Sequence, residues 1–142
     1  MVMAVLCCNL KNEKTPNVAF VLWQICFYQD TRHEKPLLWI QEVLEIGYVS
    51  RRNDAISELR INGFQQIQTI LTELKPYVRF KTIQVEAMIR ACRIHSKVNI
   101  NKLSNKQLME LVELILVIQN ENYKAHRKKT KKEFIEILGL TP

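Results

Sequence analysis

Lys124, His126, Arg127, Lys128, Lys129, Lys131 and Lys132 fall within nine consecutive positions. So dense a set of cations suits the holding of phosphate, and the whole chain leans the same way, with Lys+Arg 21 against Asp+Glu 14 and a formal charge of +7. Arg51 and Arg52 stand in a polar run, Arg51-Arg52-Asn53-Asp54, that reads as a hairpin tip, and Arg60 follows in a strand-like stretch. Other chemistry is poorly served. Cys7, Cys8, Cys26 and Cys92 include no pair at C-x-x-C spacing, and adjacent Cys7 and Cys8 point to opposite sides of an extended chain, so no zinc site is expected. The four read as reduced thiols acting as small buried hydrophobes. His33 and His95 stand alone on helical stretches and read as surface groups rather than ligands. Trp23 and Trp39 fit core or interface positions, and no aromatic pattern suits the stacking of single-strand bases.

These cations need a scaffold, and the apolar spacing supplies one. Ala4 to Asn9 and Val18 to Gln29 are rich in Val, Ile, Phe, Trp and Cys and flank the polar run from Lys11 to Asn17, which predicts a hairpin with a long loop. Thr31 and Glu34 have the form of a capping box ahead of Leu37, Ile40 and Leu44, predicting a helix from Arg32 to Glu45. A second hairpin is expected from Gly47–Ser50 and Ala55–Ile61, closed by Asn62-Gly63. Phe64, Ile67, Ile70, Leu71 and Leu74 mark a helix stopped at Lys75-Pro76. Thr82 to His95 marks the next. Ser104 with Gln107, and Thr130 with Glu133, form capping boxes before two more apolar periodic stretches, the first running to about Asn120.

The order ββ-α-ββ-α with further C-terminal helices predicts an α+β fold, an antiparallel sheet under helices, in a single domain spanning 1–142. The most apolar stretch, Val18 to Phe27, is too short for the roughly 20 residues of a membrane span, so no membrane partner is expected. Met1 to Cys8 carries no charge and lacks a cleavage-site pattern, which argues against secretion. Abundant Ile, Asn and Lys beside only 3 Gly and 4 Pro matches the bias of AT-rich genomes such as those of organelles.

Several strings bear a further likeness. Gln29, Leu37-Leu38-Trp39-Ile40, Glu45-Ile46-Gly47-Tyr48-Val49, Ile56-Ser57-Glu58-Leu59-Arg60-Ile61 and, above all, Leu74-Lys75-Pro76-Tyr77-Val78-Arg79-Phe80-Lys81 with Gln84 resemble the small single-motif LAGLIDADG homing endonucleases of organelle introns. The resemblance continues through Gln119 to Tyr123 and Arg127 to Glu133. It implies an αββαββα core whose four-stranded sheet saddles duplex DNA, and a namesake helix that forms the dimer seam and delivers a metal-binding acid.

That helix has no counterpart before Ala4, and Met1-Val2-Met3 offers no oxygen ligand for a hard cation. Gln29 and Lys81 match family positions near the cleavage site, as remnants able to position a phosphate. Two-metal hydrolysis needs its metals first, so the expectation is a non-catalytic nucleic-acid-binding protein without cofactor. A structural RNA-binding component of an organellar ribonucleoprotein such as the ribosome fits, in mitochondria ahead of chloroplasts. The alternative is an endonuclease subunit or intron maturase acting on duplex DNA or intron RNA, using Mg, with its acid supplied elsewhere. Expected contacts to structured RNA or duplex DNA are Arg51, Arg52, Arg60, Lys81, Lys124, Arg127, Lys128, Lys129, Lys131 and Lys132. Because Val18 to Trp23 is apolar on both faces of a strand, Phe20, Leu22 and Trp23 are expected to meet a protein partner or second copy.

Overall fold

The computed structural model of the protein describes the backbone of residues 3–12, 19–122 and 128–140, and the side chains of all of these except 3, 7–12 and 19–20. The elements follow in the expected order. Strands β1 (Met3–Asn12) and β2 (Ala19–Asp30) precede helix α1 (Lys35–Leu44), and strands β3 (Tyr48–Arg51) and β4 (Ile56–Asn62) precede helices α2 (Phe64–Leu74), α3 (Thr82–Lys97), α4 (Asn105–Asn120) and α5 (Lys131–Ile137). The four strands form one antiparallel sheet in the order β1-β2-β4-β3, so the fold is α+β.

Strand parity decides which side chains meet the helices. Val21, Trp23 and Ile25 of β2 and Leu59 and Ile61 of β4 are all buried, and the register pairs Ile25 with Ile61 and Phe27 with Leu59. These odd positions share the helix-facing side, because alternate residues of a strand point the same way and directly paired residues share a face. Val85, Met88 and Cys92 of α3 and Leu111, Ile115 and Ile118 of α4 complete that core. Burial of its thiol pushes Cys92 up to about 12. Cys26 is buried, as is Cys92.

Two of the three anticipated capping boxes form. Ser104 and Gln107 close the start of α4, and Thr130 and Glu133 the start of α5. The third does not. Residues Thr31–His33 make a short 3-10 turn capped by the Asp30 carboxylate, and α1 begins only at Lys35. Glu34 has other partners: Arg51 donates to it through Nε (3.0 Å) and Nη2, and Ser57 through its hydroxyl (2.7 Å). A carboxylate gains more from a guanidinium than from one backbone N–H, and the tie draws the start of α1 onto the second hairpin.

Between α1 and β3, Gly47 has φ +94°, and a Cβ there would lie 2.8 Å from the Arg60 carbonyl oxygen. Only glycine fits this close corner. At the far side of the core, Gln84 Nε2 donates to Asn122 Oδ1 (2.9 Å), and Asn122 Nδ2 donates to the Leu6 carbonyl (2.8 Å). The amide chain links α3 and the end of α4 to β1, which gives the Gln84 and Asn122 of the sequence likeness a structural use.

Candidate nucleic-acid interface

Helices cover one side of the sheet; the even positions of β2, β3 and β4, with the odd positions of β1 paired to them, form the other. Gln24 pairs with Asn62, Cys26 with Arg60 and Tyr28 with Glu58; Arg60 and Glu58 pair in turn with Tyr48 and Ser50 of β3. Apart from Leu22, Cys26 and Ile56, the described side chains of this outer side on β2, β4 and β3 are polar. Gln24 Nε2 donates to Asn62 Oδ1 at 2.8 Å, which presents two side-chain amides as one unit. Glu58 is only 2% exposed and accepts from the Arg60 Nη2, whose side chain stays 38% exposed. The hydrogen bond to Glu58 holds the Arg60 guanidinium above its ordinary value, against some desolvation and with help from Tyr48. Arg60 is thereby a fixed cation facing away from the helices.

The strand parity revises the expectation of an apolar, two-faced first hairpin. Trp23 is 1% exposed in the core, its Nε1–H donating to His95 Nδ1 at 2.8 Å, so it is not a partner contact. His95 is likewise not a free surface group: it is half-buried and stacks on Phe64 with ring centroids 4.5 Å apart. Leu22 is half-buried and at an outer position. The Phe20 side chain lies outside the described residues.

The expected phosphate contacts divide by face. Arg60 is on the outer side. Arg51, expected as a phosphate contact at a hairpin tip, pairs with Ser57, an odd position, and its bond to Glu34 holds it toward the helix side. Both Arg51 and Ser57 hold the Glu34 carboxyl below its ordinary range, Arg51 the more strongly. Arg52 donates to Asp54 (2.7 Å) within the hairpin turn and remains about half exposed.

Lys81 is exposed at the start of α3, in the left-handed region at φ 59°, beside the exposed Tyr77, Phe80 and Ile83. Gln29 is the last residue but one of β2, its Oε1 accepting the Asp30 N–H at 3.2 Å. No hydrogen bond joins Lys81 to Gln29. The carboxylate next to Gln29, Asp30, is held far below its ordinary range by Arg32. Among the described residues no three of His, Cys, Asp and Glu could hold a metal ion, and Asp30, committed to Arg32, does not fit a hard divalent cation.

Lys124 and Arg127 lie outside the described residues. Lys128 Nζ donates to the Asn120 carbonyl (3.3 Å), Lys131 is paired with Glu113, the Lys129 ammonium sits 6.0 Å over the Phe134 ring, and Lys132 is exposed. At the start of the following helix Thr130 caps the Glu133 N–H, and Glu133 puts a carboxylate in the first turn beside these cations. Tyr48 and Asn62 are outer-face residues that the sequence reading did not assign to a site. Their signal was the register of β4 against β2, which the two-sided apolarity of β2 concealed.

With this geometry the fold is that of the LAGLIDADG homing endonucleases. A crystal structure of the homing endonuclease I-CvuI in complex with the I-CreI target, its DNA not cleaved, superposes with a TM-score of 0.81, covering 98% of this chain and 88% of that one at 24% identity. The archaeal intron-encoded homing endonuclease I-Vdi141I complexed with DNA gives 0.79, over 96% of this chain and 87% of that one, at 17% identity. In sequence, the chain is homologous to DNA endonuclease I-CvuI of Chlorella vulgaris, 36% identical over 63 residues. That match spans 44% of this chain and 39% of the relative. No family model matches the chain.

Proposed function

We propose that the chain binds nucleic acid through the outer face of its sheet and does not by itself cut it. The observation that carries the reading is the polar outer row, Gln24 and Asn62 as a joined amide pair beside Arg60 and Tyr48, on a fold shared with proteins crystallised on DNA. An amide and a guanidinium are the donors that read base edges in a major groove, and the basic residues outside the sheet supply the sequence-independent attraction. Duplex DNA is the first ligand to test. A-form RNA in an organellar ribonucleoprotein, in the mitochondrion ahead of the chloroplast, is the form this binding would take in a domesticated protein, held through phosphates and shape.

A second reading is favoured by one observation. Tyr77, Phe80 and Ile83, from 59% to 84% exposed, stand beside Lys81 and offer an apolar seat to a segment that could bring the acid and the metal these residues lack. Selection from pools of duplex DNA and structured RNA, followed by incubation of the bound pool with Mg, tests both. Retention of intact nucleic acid, weakened in Arg60→Ala and less base-selective in Gln24→Ala, is the expected result. No retention above that of an unrelated basic protein would sink the first reading, and chelator-sensitive cleavage would establish the second.

A further inference from the structure

Between α2 and α3 the chain holds two aromatic rings in water. Tyr77 is 78% and Phe80 84% exposed, more than any other large apolar side chain among the described residues. The backbone that carries them is fixed from beneath. Pro76 stands in the 3-10 turn Lys75–Tyr77, the Val78 N–H donates to the Lys75 carbonyl at 3.3 Å, and the Val78 side chain packs on the core. Paired rings on an anchored loop mark a contact surface. The sequence shows no aromatic motif for base stacking, and it is the exposure of these two rings that supplies one.

The charge around the rings decides what fits them. From Leu74 to Ile83 the chain carries Lys75, Arg79 and Lys81 and no acid. Lys75 is held by Glu86 of α3 at 3.1 Å, whereas Arg79 and Lys81 are exposed and have no ion-pair partner among the described residues. The start of α3 has no side-chain cap and no acid in its first turn, unlike α5, whose first turn holds Glu133. Its opening N–H groups and the two cations beside them all favour an anion. A protein segment would have to bring an acid and an apolar group in matching order. Every nucleotide brings a phosphate and a flat base.

We propose that this loop seats an unpaired stretch of nucleic acid, with bases stacked on Tyr77 and Phe80 and phosphates held by Arg79, Lys81 and the start of α3. Stacking of this kind accepts any base, because every base has a π-face, and the cations track the backbone whatever the sequence. A duplex keeps its bases stacked on one another. The seat therefore takes a different ligand from the outer sheet face and uses none of that face's residues, so it does not rest on the reading given for that face.

Fluorescence anisotropy of the full chain with short labelled strands of oligouridylate and oligodeoxythymidylate, beside a blunt duplex, tests it. Both strands are expected to bind, since neither sugar nor base identity is read. Tyr77→Leu and Phe80→Leu keep an apolar side chain but remove the ring, and each should weaken strand binding about tenfold, with duplex affinity and the circular-dichroism melt unchanged. Arg79→Gln and Lys81→Gln should each flatten the slope of log affinity against log salt by about 0.7, the value for one phosphate on a single strand. A wild-type chain that binds neither strand or only one of them would overturn the proposal. Leucine variants that bind the strands as well as the wild type would also overturn it, and would leave the rings as an apolar seat for a protein segment.

Discussion

Two arginine–carboxylate pairs sit on opposite faces of β4, and they do different things. On the helix side, Glu34 from the start of α1 is 15% exposed and joins Arg51 of β3, seventeen residues away, with Ser57 of β4 as a third member. That pair bridges two elements. On the outer side, Glu58 and Arg60 are two residues apart on the same strand, and the pair ties nothing distant together. What it does instead is hold a guanidinium that stays partly exposed against a carboxylate that is buried. The same chemistry is a clasp where the partners come from different elements, and a mount where they share a strand. The difference predicts which face carries stability and which carries binding.

The largest expected effect comes from dismantling the mount. Arg60→Ala leaves Glu58 buried without its cation, which costs about 2–3 kcal/mol of stability, less than a fully buried pair because Arg60 is partly in solvent. Arg60→Ala combined with Glu58→Gln recovers most of that stability in a chemical denaturation series. It recovers none of the nucleic-acid affinity. Recovery of both would make Arg60 a structural residue only.

Next is the clasp. Arg51→Ala should lower the thermal midpoint by a few degrees and leave affinity for nucleic acid unchanged, since its guanidinium is turned to Glu34 on the helix side. A loss of affinity matching that of Arg60→Ala would erase the distinction between the faces. Gln24→Ala sharpens it from the other direction. It removes an exposed amide, so stability should stay within about 0.5 kcal/mol while base discrimination falls by about 1 kcal/mol or more. Binding measured against a panel of single-base variants reads the second effect.

Much of this scaffold is legible in the sequence because helical spacing and capping residues are local signals. The boxes at Ser104 and Thr130 form as read. The one at Thr31 does not, because Glu34 is claimed by Arg51 and Ser57, and no local pattern contains residues so distant. The interface is less legible for a related reason. In β2 both parities are apolar as far as Trp23, so only pairing with β4 decides that Trp23 is core and that Gln24 faces out. For Arg51 the register does the same, placing it with Ser57 on the helix side although its neighbours in sequence suggest a phosphate contact at a hairpin tip.

The smallest effect concerns the polar group beneath Trp23, and it belongs wholly to the helix side. His95 Nδ1 accepts the Trp23 Nε1–H, so the folded state requires that nitrogen unprotonated and places the ring proton on Nε2. Its position in the last turn of α3 favours a cation, but burial against Trp23 and Phe64 opposes one, and burial prevails, moving His95 below its ordinary value. With the folded value below the unfolded one, the unfolded chain binds more protons between the two. Stability is therefore full above about pH 6.5 and falls as the pH drops from there through the folded value. His95→Gln should flatten this part of the stability profile while leaving the pH dependence of nucleic-acid binding by the outer face unchanged. A profile as steep in His95→Gln as in the wild type would assign the acid sensitivity to another group.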